Sequence, residues 1–183
     1  MVDLAIELAN TTYAQRGEVN DALTNLADLT AWLRRTQAAL AVPIKYGDLN
    51  ASDLERARSL RDAIRGVVSA NSADRPLIAA DVAVINSCLR AAPIWSELAG
   101  TRTLQTRPRH SGSAFDAALA QTAINAIELL TNGKMRPCGA PGCVMLFVQD
   151  RPRREWCSDG CGNRVRAARH YQRVRQNRTQ VAE

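Results

Sequence analysis

Four of the five cysteines in this 183-residue chain lie close together near its end, as Cys138-x4-Cys143, a thirteen-residue spacer, and Cys157-x3-Cys161. Two close thiol pairs separated by about a dozen residues suit tetrahedral Zn²⁺, because each pair supplies a chelating turn and the spacer need cross the ion only once. Four protein ligands leave no open position for water or substrate, so the chemistry implied is structural. Competing readings are unpaired structural cysteines, a disulfide pair or a redox centre; a redox centre favours Cys-x-x-Cys, a spacing that does not occur. A zinc site of this kind contributes about 10–16 kcal/mol of apparent binding free energy, enough to hold a segment with little core of its own. Without zinc, residues 136–165 are expected to lose their fold. Cys88, on the apolar side of an expected helix, reads as a buried small residue, and His110 and His170 as ordinary loop or helix-surface histidines.

Charge is distributed as unevenly as the thiols. Residues 1–133 hold 13 Arg and Lys against 14 Asp and Glu, net −1, whereas residues 134–178 hold 11 against 3, net +8. Four thiolates and one Zn²⁺ would remove two of those charges, which still leaves a strongly cationic segment whose partners should be anionic. Nucleic acid leads; an acidic protein, a membrane surface, self-association or mere solubility stay open. On a helical wheel Arg166, Arg169 and Arg173 share one arc, opposite Ala167, Tyr171 and Val174, so one face is expected to dock and the other to present arginines to phosphates or to a major groove. Arg151, Arg153 and Arg154 extend that surface from the preceding turn. Charge of this kind gives affinity without sequence choice.

The elements that position these groups follow from local pattern. Gly139, Pro141 and Gly142 make the first cysteine loop a tight turn. Val144 to Gln149 is strand-like, Asp150-Arg151-Pro152 is a turn, and Arg154 to Trp156 is expected to return as the second strand. Ser158 or Asp159 can start a helix, placing Cys161 in its first turn where backbone N–H groups favour thiolates. Knuckle, hairpin and helix together resemble a treble-clef finger.

Upstream, the apolar residues recur at helical intervals. Helices are expected from Asp3 to about Arg16, ended by Arg16-Gly17, and from about Asn20 to Ala39 through Leu23, Leu26, Leu29, Trp32 and Leu33. Ser52, with Glu55 completing a capping box, predicts a helix to about Ala70. Pro76 opens another, which Pro93 stops. Ile94–Leu98 and Thr101–Thr106 suggest a short hairpin turning at Ala99-Gly100. Ser111-Gly112-Ser113 begins the clearest helix, which Asn132-Gly133 ends. The expected architecture is mainly α: a helical unit with a short β-hairpin over 1–133, a zinc finger with a basic helix over 134–178, and a tail over 179–183.

No run approaches the length of a membrane span, and the first residues lack the pattern of a signal peptide, so a soluble, cytoplasmic protein is expected. Neither paired carboxylates at metal-ligand spacing, a Gly-rich phosphate loop, nor a nucleophile with a base at a recognised spacing is present, so no enzyme is expected.

Trp156-Cys157-Ser158 followed by Cys161-Gly162-Asn163-Arg164 resembles the signature of CGNR zinc fingers, and Cys138-x4-Cys143 with Phe147 fits the same pattern. Leu4-Ala5-Ile6-Glu7-Leu8-Ala9-Asn10-Thr11 is similar to the opening of the ABATE domain, which precedes that finger in bacterial proteins described as stress-induced transcription regulators. The resemblance implies that the four cysteines are zinc ligands, that the finger binds DNA, with Arg164 in its motif, and that the helical unit senses a small-molecule effector or forms a homodimer. Arg166 stands where Lys is common in the family, which preserves the charge. Asn163 and Arg164 also have structural readings, as a cap on the knuckle backbone and as packing over it.

Overall fold

The computed structural model describes residues 2–15, 17–100 and 103–180, with side chains as far as residue 174. Its elements run α1 (Leu4–Ala9), β1 (Thr12–Gln15), β2 (Glu18–Asp21), α2 (Leu26–Thr36), α3 (Ala51–Ser72), α4 (Ala79–Ala91), β3 (Ile94–Ala99), β4 (Gln105–His110), α5 (Ala114–Thr131), β5 (Met135–Pro137), β6 (Leu146–Val148) and α6 (Asp159–Gln180). The strands form three separate antiparallel pairs, β1–β2, β3–β4 and β5–β6. The protein is mainly α with short hairpins, as its sequence pattern predicts.

One capping device starts three of the helices. Asn25, Asn50 and Ser113 each accept a hydrogen bond from a backbone N–H in the first turn, and the Asp three residues on (Asp28, Asp53, Asp116) bonds back to the cap backbone. Each such cap is worth about 1 kcal/mol. At α3 this corrects the expected start: the cap is Asn50 rather than Ser52, and Ser52 lies inside the first turn. The Asp53 carboxylate is buried there, and accepts from Asn50 N–H at 3.0 Å. The end of α5 falls where expected, with Gly133 at φ +63° making the left-handed step.

Other boundaries differ from the sequence expectation: α4, expected to open at Pro76, starts only at Ala79. The first helix stops at Ala9 rather than near Arg16, because Thr11, Thr12 and Tyr13 favour extended backbone and residues 12–21 fold into the β1–β2 hairpin. Gly17 at φ +87° makes its turn, and Arg16 lies outside the described residues. The second helix starts at Leu26 rather than Asn20, since β2 and a short loop occupy the residues before Asn25. The β3–β4 hairpin exists, but its second strand begins at Gln105; Thr101 and Arg102 lie outside the described residues.

The main core gathers Leu8, Leu29, Trp32, Leu33, Leu60, Ile64, Val68 and Leu119, all fully buried. Five alanines of α5 (Ala117, Ala118, Ala120, Ala123, Ala126) are also buried, so neighbouring helices approach its backbone closely. Met135 of β5 and Leu146 of β6 belong to this same core, at 1% and 5% exposure. The hairpin that carries the first two cysteines is therefore packed onto the helices. Among the described residues, no helix is long and apolar enough to cross a membrane.

Candidate metal centre and nucleic-acid face

The first cysteine pair sits at the tip of β5–β6. Pro137 pairs with Leu146, and Cys138 N–H extends the ladder to Met145 C=O at 2.9 Å. The chain then reverses through Gly139 to Gly142, with Cys143 N–H closing on Ala140 C=O at 3.0 Å and Gly142 at φ +71°. Here the structure corrects the expected hairpin. The strand at 146–148 pairs with residues 135–137 before the knuckle, while 154–156 forms no strand.

Residues 154–156 are instead held by Gly139 N–H, which donates to Glu155 C=O at 3.0 Å, and by side chains. Arg154 donates to the carbonyls of Val148, Trp156 and Cys157, pairs with Asp150 at 3.2 Å, and stacks over Phe147 with 5.1 Å to the ring centroid. Its guanidinium is therefore bound within the finger itself, where it braces residues 148–157. Gln149 braces the same turn through Pro152 and Arg154 C=O.

The second pair lies at the start of α6, as predicted. Ser158 Oγ accepts from Cys161 N–H at 3.3 Å, and Ser158 C=O accepts from Gly162 N–H at 3.2 Å. A Cβ at Gly162 would lie 3.1 Å from the Trp156 ring and 3.2 Å from the Arg166 guanidinium, closer than ordinary contact. The glycine of the Cys-Gly-Asn-Arg motif thus lets Trp156 and Arg166 lie against the helix. Phe147, Ala140, Val165 and Cys138 form a small core beneath.

The four sulfurs converge. All lie within 4.8 Å of one another, with Cys143 to Cys157 at 3.8 Å and Cys157 to Cys161 at 3.6 Å. A tetrahedral Zn–S₄ unit with bonds of about 2.3 Å has S···S edges of about 3.8 Å, so the donor set fits one zinc ion. Burial raises the Cys143 and Cys157 thiols, and the crowded sulfurs add to the rise at Cys157. At Cys138 burial also opposes ionisation, but N–H groups of Cys157 and Ala140 outweigh it and hold the thiol below its ordinary value. A divalent cation at the centre would reverse the cost of ionising the rest. Cys88 is buried on α4, away from this cluster.

Among the described residues, nothing packs on the expected docking face of α6. Beyond the buried Val165, every residue from Arg166 to Val174 is exposed, including Ala167 and Tyr171, the latter 75% exposed. Arg166 bends back over Trp156 at 5.8 Å to the centroid and donates to Asn163 Oδ1 at 2.6 Å. Arg164 donates to Cys161 Sγ at 3.6 Å. Arg169 and Arg173 stand along the exposed helix, and Arg151 and Arg153 on the turn.

Two residues outside the expected set tie the knuckle to the helical unit. Arg65 of α3 donates to Ala9 C=O and Val144 C=O, both at 2.9 Å. Asn10, just after α1, donates to Leu146 C=O at 2.9 Å and accepts from Leu146 N–H at 2.8 Å. Its amide completes the free edge of β6 as a strand would. No local pattern marks either residue for this role.

A helical body with a four-cysteine finger packed onto it, and an arginine-bearing helix leading away, defines a zinc-finger protein of mainly α architecture. Residues 2–133 match the ABATE family model, described as "Putative stress-induced transcription regulator", and the chain belongs to that family. Residues 134–174 match the CGNR zinc finger. No curated protein matches the chain.

Proposed function

We propose that this protein is a DNA-binding transcription regulator in which Cys138, Cys143, Cys157 and Cys161 hold one structural zinc and the arginines around α6 contact the nucleic acid. One observation carries the reading. Arg151, Arg153, Arg164, Arg166, Arg169 and Arg173 are all exposed and have no carboxylate within 4.0 Å among the described residues, whereas in the helical unit Arg35, Arg56, Arg58, Arg61 and Arg109 are paired with one and Arg34, Arg65, Arg75, Arg90 and Arg107 are not, spread along the chain rather than gathered at one end. Unpaired, exposed guanidinium groups gathered at one end are what a phosphate backbone rewards through counterion release.

The zinc's part is to fix Cys157 and Cys161, and with them the start of α6, relative to the knuckle. In this reading residues 134–178 are the reader, and residues 1–133 sense an effector or mediate dimerisation. The site is non-catalytic because its four ligands close the coordination sphere. A DNA partner in a bacterial cell would place the protein in the cytoplasm. The test is fluorescence anisotropy with a labelled duplex: R166A/R169A/R173A should bind at least about tenfold more weakly, since each lost phosphate contact removes counterion-release free energy. Equal affinity of variant and wild type would reject the assignment. Zinc-dependent capture of an acidic protein, with no DNA binding, would instead favour a protein-interaction module.

A further inference from the structure

The β3–β4 hairpin stands away from the body. Apart from its roots at Ile94 and His110, and half-buried Ala99, the described residues of its two strands are exposed, including Trp95 at 47% and Leu98 at 76%. An isolated two-stranded ribbon is marginal in water, and an uncovered edge invites another strand. Among the described residues neither strand pairs with a third.

The two outer edges are not equivalent. Ser111 N–H donates to Pro93 C=O at 3.2 Å, and the register continues as Ile94↔His110, Trp95↔Arg109, Ser96↔Pro108, Glu97↔Arg107. In an antiparallel ladder bonded pairs alternate, so Trp95, Glu97 and Ala99 bond inward to β4. The main-chain groups of Ile94, Ser96 and Leu98 therefore face outward from β3, and those of Thr106, Pro108 and His110 face outward from β4. Pro108 removes the central donor from the β4 edge. The β3 edge keeps all of its donors and acceptors.

We propose that β3 is the dimerisation edge, pairing antiparallel with β3 of a second copy around Ser96 to form a four-stranded sheet. In that register Ser96 faces Ser96 of the second copy and Ile94 faces Leu98, with about six new main-chain hydrogen bonds. Charge selects the same pairing. Trp95 comes opposite Glu97 of the second copy, so each cross-sheet row runs Arg109, Trp95, Glu97, Arg107, with the carboxylates on the inner strands and the arginines outside. Pairing β4 with β4 around Pro108 would set Arg107 against Arg109 of the second copy, which is destabilising. Leu98, exposed in the single chain, would lie beside Ile94 of the second copy, which packs on the Ala92, Ala117 and Ala120 cluster.

The test is sedimentation of the full zinc-loaded chain, alone and as Ser96→Pro and Leu98→Lys. Ser96→Pro deletes an outward donor and no bond within the hairpin, and Leu98→Lys changes a side chain that the single chain leaves exposed. The wild type should sediment at twice the 20.0 kDa chain mass, and each variant at the single-chain mass with an unchanged circular dichroism spectrum. A monomeric wild type, a dimer that survives both substitutions, or open-ended growth beyond a dimer would overturn the proposal. None of these outcomes depends on DNA binding.

Discussion

Replacing Asn10 tests how the finger is fastened to the helices. Its amide makes two hydrogen bonds to the backbone of Leu146, at 2.9 and 2.8 Å, and Leu146 is 5% exposed. Asn10→Ala strands both backbone groups of Leu146, and each buried group left unpaired costs about 1–3 kcal/mol, so the protein should be destabilised by about 2–6 kcal/mol. Asn10→Asp is the sharper perturbation. It keeps the acceptor for Leu146 N–H but turns a second carboxylate oxygen toward Leu146 C=O, so at neutral pH it should be no better than alanine. Protonation restores a donor of nearly the same shape. The folded state therefore holds that proton more tightly than the unfolded one, and the pKa of the new carboxyl rises above the usual value of about 3.9. Its contribution is then present below that value and lost as pH rises through the folded-state pKa. Urea titrations of both variants across acidic to neutral pH read this directly. The aspartate variant should gain on the alanine variant as pH falls. A cost below about 0.5 kcal/mol for Asn10→Ala, or an Asn10→Asp protein as stable as wild type at neutral pH, would refute the bridge.

Zinc removal should reach beyond the finger, because Met135 and Leu146 lie in the helical core: a chelator should lower the melting temperature of the helices themselves, and an unshifted transition by far-UV circular dichroism would count against the shared core. Metal analysis should find one zinc per chain in wild type and in Cys88→Ser, and a clear loss in Cys161→Ser; retention in the latter would remove Cys161 from the ligand set. Arg61 is buried and bonds Asp21 at 2.6 Å and Asp62 at 2.8 Å. Burial pushes the Asp21 carboxyl up, but Arg61 and Leu23 N–H outweigh it and hold the carboxyl below its ordinary range. That stability is present above the unfolded value of about 3.9 and is lost as pH falls through the folded one, so Arg61→Met should flatten the acid limb of a stability–pH profile. An unchanged acid limb would show that the pair does not govern it.

The zinc site and the last helix of the body are legible locally. Cysteine spacing, the Ser111-Gly112-Ser113 start and the Asn132-Gly133 stop are short-range signals, and the structure brings the sulfurs together and bounds the helix where the pattern predicts, with Ser113 as the cap. The finger's hairpin is not. Residues 146–148 look like a strand whichever partner they take, and the choice falls to residues 135–137 because Met135 and Leu146 then share the helical core, a tertiary cause. Arg154 is indistinguishable from its neighbours Arg151 and Arg153 in a basic run; only the convergence of three carbonyls, Asp150 and Phe147 singles it out. Asn10 sits in plain view within the ABATE-like opening, yet its partner lies 136 residues away. The α6 wheel is amphipathic, but an amphipathic pattern does not require that its apolar side find a partner in the same chain.

The proposed contact between the arginines of the zinc-anchored helix and nucleic-acid phosphates is tested most directly by the salt dependence of duplex DNA affinity. The logarithm of the binding constant should fall linearly with that of salt concentration, and Arg166/Arg169/Arg173→Ala should make the slope shallower by about 2.7, at about 0.9 for each lost contact. A wild-type affinity indifferent to salt, or a slope the triple substitution leaves untouched, would contradict it.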